Sequence, residues 1–240
     1  MKISRKDFLR LSGLGCVGLT FRKLAAAAGR TRWGMAIDTA KCLKQPDCTK
    51  CIEACNHAHN VPQLPDPRHT VKWIWKEPFD RAFLNQVDDY SPLRAAPVMV
   101  LCNHCDDPPC VRVCPTQATF KRDDGIVEMD YHRCIGCRYC MAACPYGSRS
   151  FNWQDPRAYI HQPNPDFPTR TKGVVEKCNF CSERLAVGQP PACVAVCPEK
   201  ALVFGNLADP HSEIRQLLAS RRHMRRKPEL GTQPQVFYIV

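Results

Sequence analysis

The stretch Cys134-Ile-Gly-Cys137-Arg-Tyr-Cys140-Met-Ala-Ala-Cys144-Pro145 decides the fold of this chain. Its spacing, C-x2-C-x2-C-x3-C-P, is typical of iron–sulfur cluster ligands. The first three cysteines can bind one cube, because a short loop presents three thiolates to three of its corners. The fourth cysteine begins a helix that leads away, so its thiolate reaches a neighbouring cube instead. The stretch therefore predicts that clusters occur in pairs.

The same chemistry recurs along the chain. Of its 240 residues, 17 are cysteines, a density that demands a chemical reason in a chain too long to be a small disulfide-stapled scaffold. Cys16 lies in the N-terminal segment, and the other sixteen form four groups that each end in C-x3-C. In chain order, the groups are Cys42, Cys48, Cys51 and Cys55; Cys102, Cys105, Cys110 and Cys114; Cys134, Cys137, Cys140 and Cys144; and Cys178, Cys181, Cys193 and Cys197. Sixteen ligands predict four [4Fe-4S] clusters.

Groups two and three are joined by a connector that predicts a β-hairpin. Its two segments 118–122 and 126–130 flank the turn signal Asp123-Asp124-Gly125. A hairpin with two short helices is the two-cluster module of bacterial ferredoxins. Because the fourth cysteine of each group crosses over, the predicted ligand sets are Cys102, Cys105, Cys110 and Cys144 for one cube, and Cys134, Cys137, Cys140 and Cys114 for the other.

Groups one and four lie on either side of that module and should pair across it by the same crossover. The predicted ligand sets are Cys42, Cys48, Cys51 and Cys197, and Cys178, Cys181, Cys193 and Cys55. Five residues separate Cys42 from Cys48, and eleven separate Cys181 from Cys193, so these spacings permit a cluster without requiring one.

The predicted fold class is α+β, with two bacterial-type two-[4Fe-4S] ferredoxin modules, one inserted in the other, and long loops. The first module would comprise residues 30–96 plus 165–205 and the second residues 97–164, followed by a basic C-terminal extension over 206–240. The basic run from Arg221 to Lys227 is interpreted as a solvated helix face, although such a run could also touch anionic lipid or an acidic partner.

The N-terminal residues 1–29 have the charged, apolar and small-residue zones of a signal peptide, with cleavage expected near Ala28. The segment Ser4-Arg-Lys-Asp-Phe-Leu-Arg10 resembles a twin-arginine export signal, with Lys6 in place of the second arginine. A retained anchor helix is the alternative.

We expect a periplasmic or extracytoplasmic location and no nucleic-acid partner, despite the net charge of +11. No later segment is long and apolar enough to span a membrane, so membrane association would need a partner protein.

Other uses of clustered cysteines fit the sequence less well. Structural zinc, in a zinc-stabilised binding module, explains groups two and four but not the spacing of group three. Disulfides are possible after export, but the C-x2-C pairs would make a poor framework. A catalytic subunit would need an incompletely ligated cluster, and all sixteen ligands are present. The histidines near the groups, including His57, His59 and His104, are interpreted as surface residues or as neighbours of the ligands.

The cysteine groups together resemble the four-cluster ferredoxin-like subunits that accompany molybdenum reductases, formate-dependent nitrite reductase and related respiratory complexes. The segments 55–62, 72–76 and 227–232 look most like the periplasmic O subunit of the transmembrane complex associated with dissimilatory sulfite reductase. The resemblance implies a non-catalytic electron-transfer subunit. Its implied partners are an integral membrane quinone-interacting subunit and a multihaem cytochrome c or reductase subunit.

Overall fold

The computed structural model describes residues 31–84, 86 and 94–240. The predicted signal peptide and Cys16 lie outside the described residues. Within the described ranges, none of the helices has the length and apolar character needed to cross a bilayer. The domain boundaries predicted from the sequence stay a prediction.

Ten short strands and eight short α-helices make up the described chain. The strands are β1 Trp33–Asp38, β2 Ile74–Pro78, β3 Pro97–Leu101, β4 Thr119–Lys121, β5 Val127–Met129, β6 Ser150–Phe151, β7 Val175–Glu176, β8 Leu202–Asn206, β9 His223–Met224 and β10 Val236–Ile239. The helices are α1 Thr39–Cys42, α2 Lys50–Ala58, α3 Phe79–Ala82, α4 Pro109–Arg112, α5 Tyr139–Ala143, α6 Ser182–Ala186, α7 Ala192–Ala195 and α8 Glu213–Ser220. Three 3-10 turns lie at Pro67–His69, Pro156–Tyr159 and Pro228–Leu230.

The main sheet joins the beginning and the end of the described chain. Its strand order is β8-β1-β10-β9, with β1 parallel to β10 and antiparallel to β8. Side chains alternate between the two faces of a strand, so Met35 and Ile37 enter the large core while Ala36 packs on the other side against Ile214 of α8. Both faces of β1 and β10 are covered, which explains why these strands are almost entirely apolar.

The predicted C-terminal extension contributes α8, β9 and β10 to this sheet and its cover. The interpretation of Arg221–Lys227 as a solvated helix face is wrong. The helix ends at Ser220, and Arg226 is buried, with its guanidinium 3.2 Å from the Glu77 carboxylate and 3.2 Å from the Ala82 carbonyl oxygen. A buried arginine needs such partners, and here they come from strand β2 and helix α3.

The remaining strands form three antiparallel pairs. Strand β2 pairs with β3, which places four of its five residues in the large core near the buried Trp73. The hairpin predicted between groups two and three is confirmed as β4 and β5, with Gly125 at φ 84° in its turn. Strand β6, which follows group three, pairs with β7, which precedes group four. This last pair ties the two halves of the cysteine-rich region together.

A buried polar network lies beside the β6–β7 pair. Glu176 of β7 is 0% exposed and accepts hydrogen bonds from Arg170 at 2.6 Å, Trp73 Nε1 at 2.9 Å and Asn152 Nδ2 at 2.6 Å. The Arg170 guanidinium also donates to the carbonyl oxygen of Asn60 at 2.9 Å. Because every buried charge here has a partner, the network can fix the approach of four chain segments.

Candidate iron–sulfur sites

Four cysteines from groups one and four line a single cavity. We call this set quartet A: Cys42, Cys48, Cys51 and Cys197. Cys42 ends α1, Cys51 lies in the first turn of α2, and Cys197 follows α7. Met99 and Leu202 form an apolar wall of the cavity, and Lys76 and Glu199 also line it. All four thiols are partly exposed, so this site lies near the surface.

The other crossover set of groups one and four is deeply buried. Quartet B comprises Cys55, Cys178, Cys181 and Cys193, and all four are buried. Burial raises the pKa of the Cys55 thiol well above its usual value, and the negative charges of Cys178, Cys193 and Cys181 raise it further. Repulsion of this kind arises between thiolates that lie near one another. The packing of α2 against α7 brings the two chain segments into contact.

Groups two and three supply the remaining sets. Quartet C, which comprises Cys102, Cys105, Cys110 and Cys144, lines a second cavity together with Val127, Tyr146 and Arg149. Quartet D comprises Cys114, Cys134, Cys137 and Cys140, and its Cys137 is exposed. Cys134 packs against the small apolar cluster that contains Cys140. Cys114 follows α4, which packs against α5, and its place in quartet D is the one that the crossover predicts.

One pair of neighbouring cysteines links each quartet to the next, in the order A, B, C, D. Burial raises the pKa of the thiols of Cys193, Cys178 and Cys140, and a thiolate of a different quartet adds to each effect. Cys51 of quartet A acts on Cys193 of quartet B. Cys102 of quartet C acts on Cys178 of quartet B. Cys110 of quartet C acts on Cys140 of quartet D. These couplings join A to B, B to C and C to D.

Backbone amides donate hydrogen bonds to cysteine sulfurs in three of the quartets. The amides of Phe180, Ala192, Ala201 and Thr119 lie 3.3–3.4 Å from Cys178, Cys181, Cys197 and Cys114, respectively. Such bonds stabilise negative charge on sulfur and tune the potentials of iron–sulfur clusters. With four soft thiolate donors per site and apolar walls, the residues present fit [4Fe-4S] cubes.

Two family models match the chain, both described as 4Fe-4S dicluster domains, over residues 96–159 and 133–202. The Hdr-like menaquinol oxidoreductase iron–sulfur subunit 1 of Archaeoglobus fulgidus is 41% identical over 98% of this chain and 97% of the relative. The chain belongs to the respiratory iron–sulfur subunits. One tetrathionate reductase subunit, from Salmonella typhimurium, is 36% identical over 100% of this chain and 89% of the relative. The iron–sulfur cluster-binding subunit of menaquinone reductase from Nitratidesulfovibrio vulgaris is 36% identical over 88% of this chain and 89% of the relative.

Family membership confirms the main predictions from the sequence. This respiratory iron–sulfur subunit carries four [4Fe-4S] clusters and transfers electrons, in a fold of ferredoxin-type dicluster domains with small helices and strands. Family membership favours iron–sulfur clusters over the alternative of a zinc-stabilised module. The assignment of individual cysteines to individual cubes stays a prediction.

Two histidines that the sequence places near cysteine groups are buried beside the sites of this subunit. His59 and His104 are fully buried, so they are not surface residues, and His59 lies next to a ligand, with its Nδ1 3.6 Å from Cys55 Sγ. Burial lowers the pKa of His59, but hydrogen bonds with Cys181 and Glu183 outweigh it and raise the pKa to about 9. His104 stacks on Phe180 with ring centroids 3.6 Å apart. The proximity of each histidine to a cysteine group was the available signal.

Gly136 is expected to be essential for quartet D. It has φ +70°, and a Cβ there would lie 2.4 Å from the carbonyl oxygen of Gly173. Gly136→Ala should therefore displace the loop that carries Cys134 and Cys137 and lower the iron content by about a quarter, one cube of four. Gly147→Ala is the matched control, because Gly147 also has positive φ, at +63°, but meets nothing within 4 Å. Equal iron contents in the two purified variants would contradict this expectation.

Proposed function

We propose that this chain relays electrons between an integral membrane quinone-interacting subunit and a multihaem cytochrome c or reductase subunit, without catalysing a substrate reaction itself. The ligand sets are the four quartets A to D, and the module of groups two and three is inserted in the module of groups one and four. When bound, the cubes supply one-electron redox chemistry, with potentials set by hydrogen bonds and exposure.

The observation that carries this proposal is the order of the quartets together with their burial. Quartet B in the interior is buried, whereas Cys137 of quartet D is exposed and the thiols of quartet A are partly exposed. Electrons can therefore enter near one surface and leave near another, while the protein excludes water from the middle of the path. An enzyme that used one site for catalysis would not need both ends near the surface.

The relatives indicate which kind of partner this chain binds. Those named above include subunits of a menaquinol oxidoreductase and a menaquinone reductase, which supports a quinone-interacting membrane partner for this chain. A place in sulfur metabolism, next to a sulfite reductase-associated complex, is proposed on the resemblance of segments 55–62, 72–76 and 227–232.

Quinol-driven reduction of the cubes tests the relay. In the detergent-solubilised complex, a short-chain menaquinol should produce the electron paramagnetic resonance signals of reduced cubes, and an added quinol-site inhibitor should abolish them. Dithionite provides the control for intact clusters. Signals that appear with dithionite but never with quinol, in a complex that retains its membrane subunit, would contradict the proposed relay.

The proposed export route makes a separate prediction for residues 1–29. A fusion of this segment to a fluorescent reporter should reach the extracytoplasmic side only where the twin-arginine pathway is present. Arg5→Gln should reduce export at least tenfold, because it removes the one arginine at the paired position, whereas the control Arg10→Gln should leave export near the parent level. Export of the Arg5→Gln fusion at the parent level would exclude this route.

A further inference from the structure

Arg149 is a buried cation that has no carboxylate partner among the residues that the structure describes. It precedes β6, is 5% exposed, and donates from Nη1 to Thr119 Oγ1 at 3.0 Å and to Met129 Sδ at 3.2 Å. Its Nη2 is buried and has no hydrogen-bond partner among the described residues. Two neutral acceptors do not compensate a guanidinium charge that has been removed from water.

The other buried arginines of the described chain are neutralised by carboxylates. Arg170 lies 2.6 Å from a Glu176 oxygen, and Arg226 lies 3.2 Å from a Glu77 oxygen. Removing a charge from water is costly unless an opposite charge is close. Arg149 must therefore have a different counter-charge.

Thiolates provide that counter-charge. Burial lowers the pKa of Arg149, but the negative charges of Cys110, Cys140, Cys102 and Cys144 outweigh burial and raise it. Three of these cysteines belong to quartet C, and Cys140 belongs to quartet D. Arg149 also lines the cavity of quartet C. One fixed guanidinium thus acts on two neighbouring cluster sites.

We propose that Arg149 is a positioning residue whose charge is shared by the cubes of quartets C and D and raises the reduction potentials of both. Reduction adds one negative charge to a cube, and a buried cation close by stabilises the reduced form more than the oxidised form. The same charge favours retention of an electron on either site relative to the same site without this guanidinium. The proposal rests on the ligand sets of the proposed function.

Arg149→Gln removes the charge, and Arg149→Lys is the matched variant that retains it. In anaerobically purified protein, the midpoint potentials of all four cubes are measured by redox titration monitored by electron paramagnetic resonance. In Arg149→Gln, two of the four potentials should fall. At the wild-type midpoint the ratio of reduced to oxidised cube should drop at least about tenfold, or about 59 mV for one electron. The other two potentials are the internal control and should not move.

Arg149→Lys should keep both potentials near the wild-type values. An unchanged set of potentials in Arg149→Gln, a uniform shift of all four, or an equal shift in both variants would overturn the proposal. If Arg149→Gln binds no iron, wild-type potentials in Arg149→Lys support the role of the charge. A shifted or iron-free Arg149→Lys would then overturn it. Iron content separates this result from failure of the proposed ligand sets, which would appear as missing clusters in the wild-type protein.

Discussion

A Cys144→Ser variant will lose or alter the cube of quartet C, which the preceding cysteine group supplies with three ligands. It will retain the cube of quartet D, which holds the other three cysteines of its own motif. Cys144 lines the same cavity as Cys102, Cys105 and Cys110, so its thiolate completes quartet C. Serine is a poor ligand for this soft site. We expect the iron content to fall by up to about four atoms per chain, one cube, and the signal of that cube to disappear.

The reciprocal variant Cys114→Ser is the matched control. Cys114 follows α4 and belongs to the proposed quartet D, so its replacement should affect the cube of Cys134, Cys137 and Cys140. Electron paramagnetic resonance of the two variants should therefore show complementary losses. If each substitution removed only the cube of its own sequence motif, the crossover of the fourth cysteine would be wrong.

Glu176→Leu should be strongly destabilising. The substitution leaves the Arg170 guanidinium buried without its carboxylate and removes the acceptor of Trp73 Nε1 and Asn152 Nδ2. Breaking a buried pair by removing one partner costs about 3–5 kcal/mol. In a chain of this size, the midpoint of thermal unfolding should fall by about 10 °C.

The double variant Arg170→Met/Glu176→Leu distinguishes a charge effect from a loss of packing. Removing both charges should be less destabilising than Glu176→Leu alone, because no uncompensated charge remains buried. Asp155→Asn, at the exposed Asp155–Arg157 pair, should leave the unfolding midpoint unchanged. Thermal unfolding of anaerobic holoprotein measures all three. A double variant less stable than Glu176→Leu would contradict the charge explanation.

The local features of this fold could be predicted from the sequence because they depend on spacing. The group of Cys134 to Cys144 indicated iron–sulfur ligation, and the turn signal Asp123-Asp124-Gly125 indicated the β4–β5 hairpin. Both signals act over a few residues. The structure also brings together the cysteines of quartets A and C as the crossover predicts, although their ligation stays a prediction.

The long-range features could not be predicted in the same way. Strand β1 pairs with β10, which lies about two hundred residues later, and no turn or periodicity signals such a pairing. The basic run containing Arg226 was misread because charged residues are usually exposed, and burial becomes possible only when a carboxylate such as Glu77 arrives from a distant segment. Arg149 was missed for the same reason, since its compensating charges come from two quartets.

The content of iron and acid-labile sulfide in anaerobically purified full-length protein tests the central claim most directly. We expect sixteen atoms of each per chain, in a brown protein. A colourless protein that contains zinc, or one whose cysteines are joined as disulfides when oxygen has been excluded throughout, would contradict it.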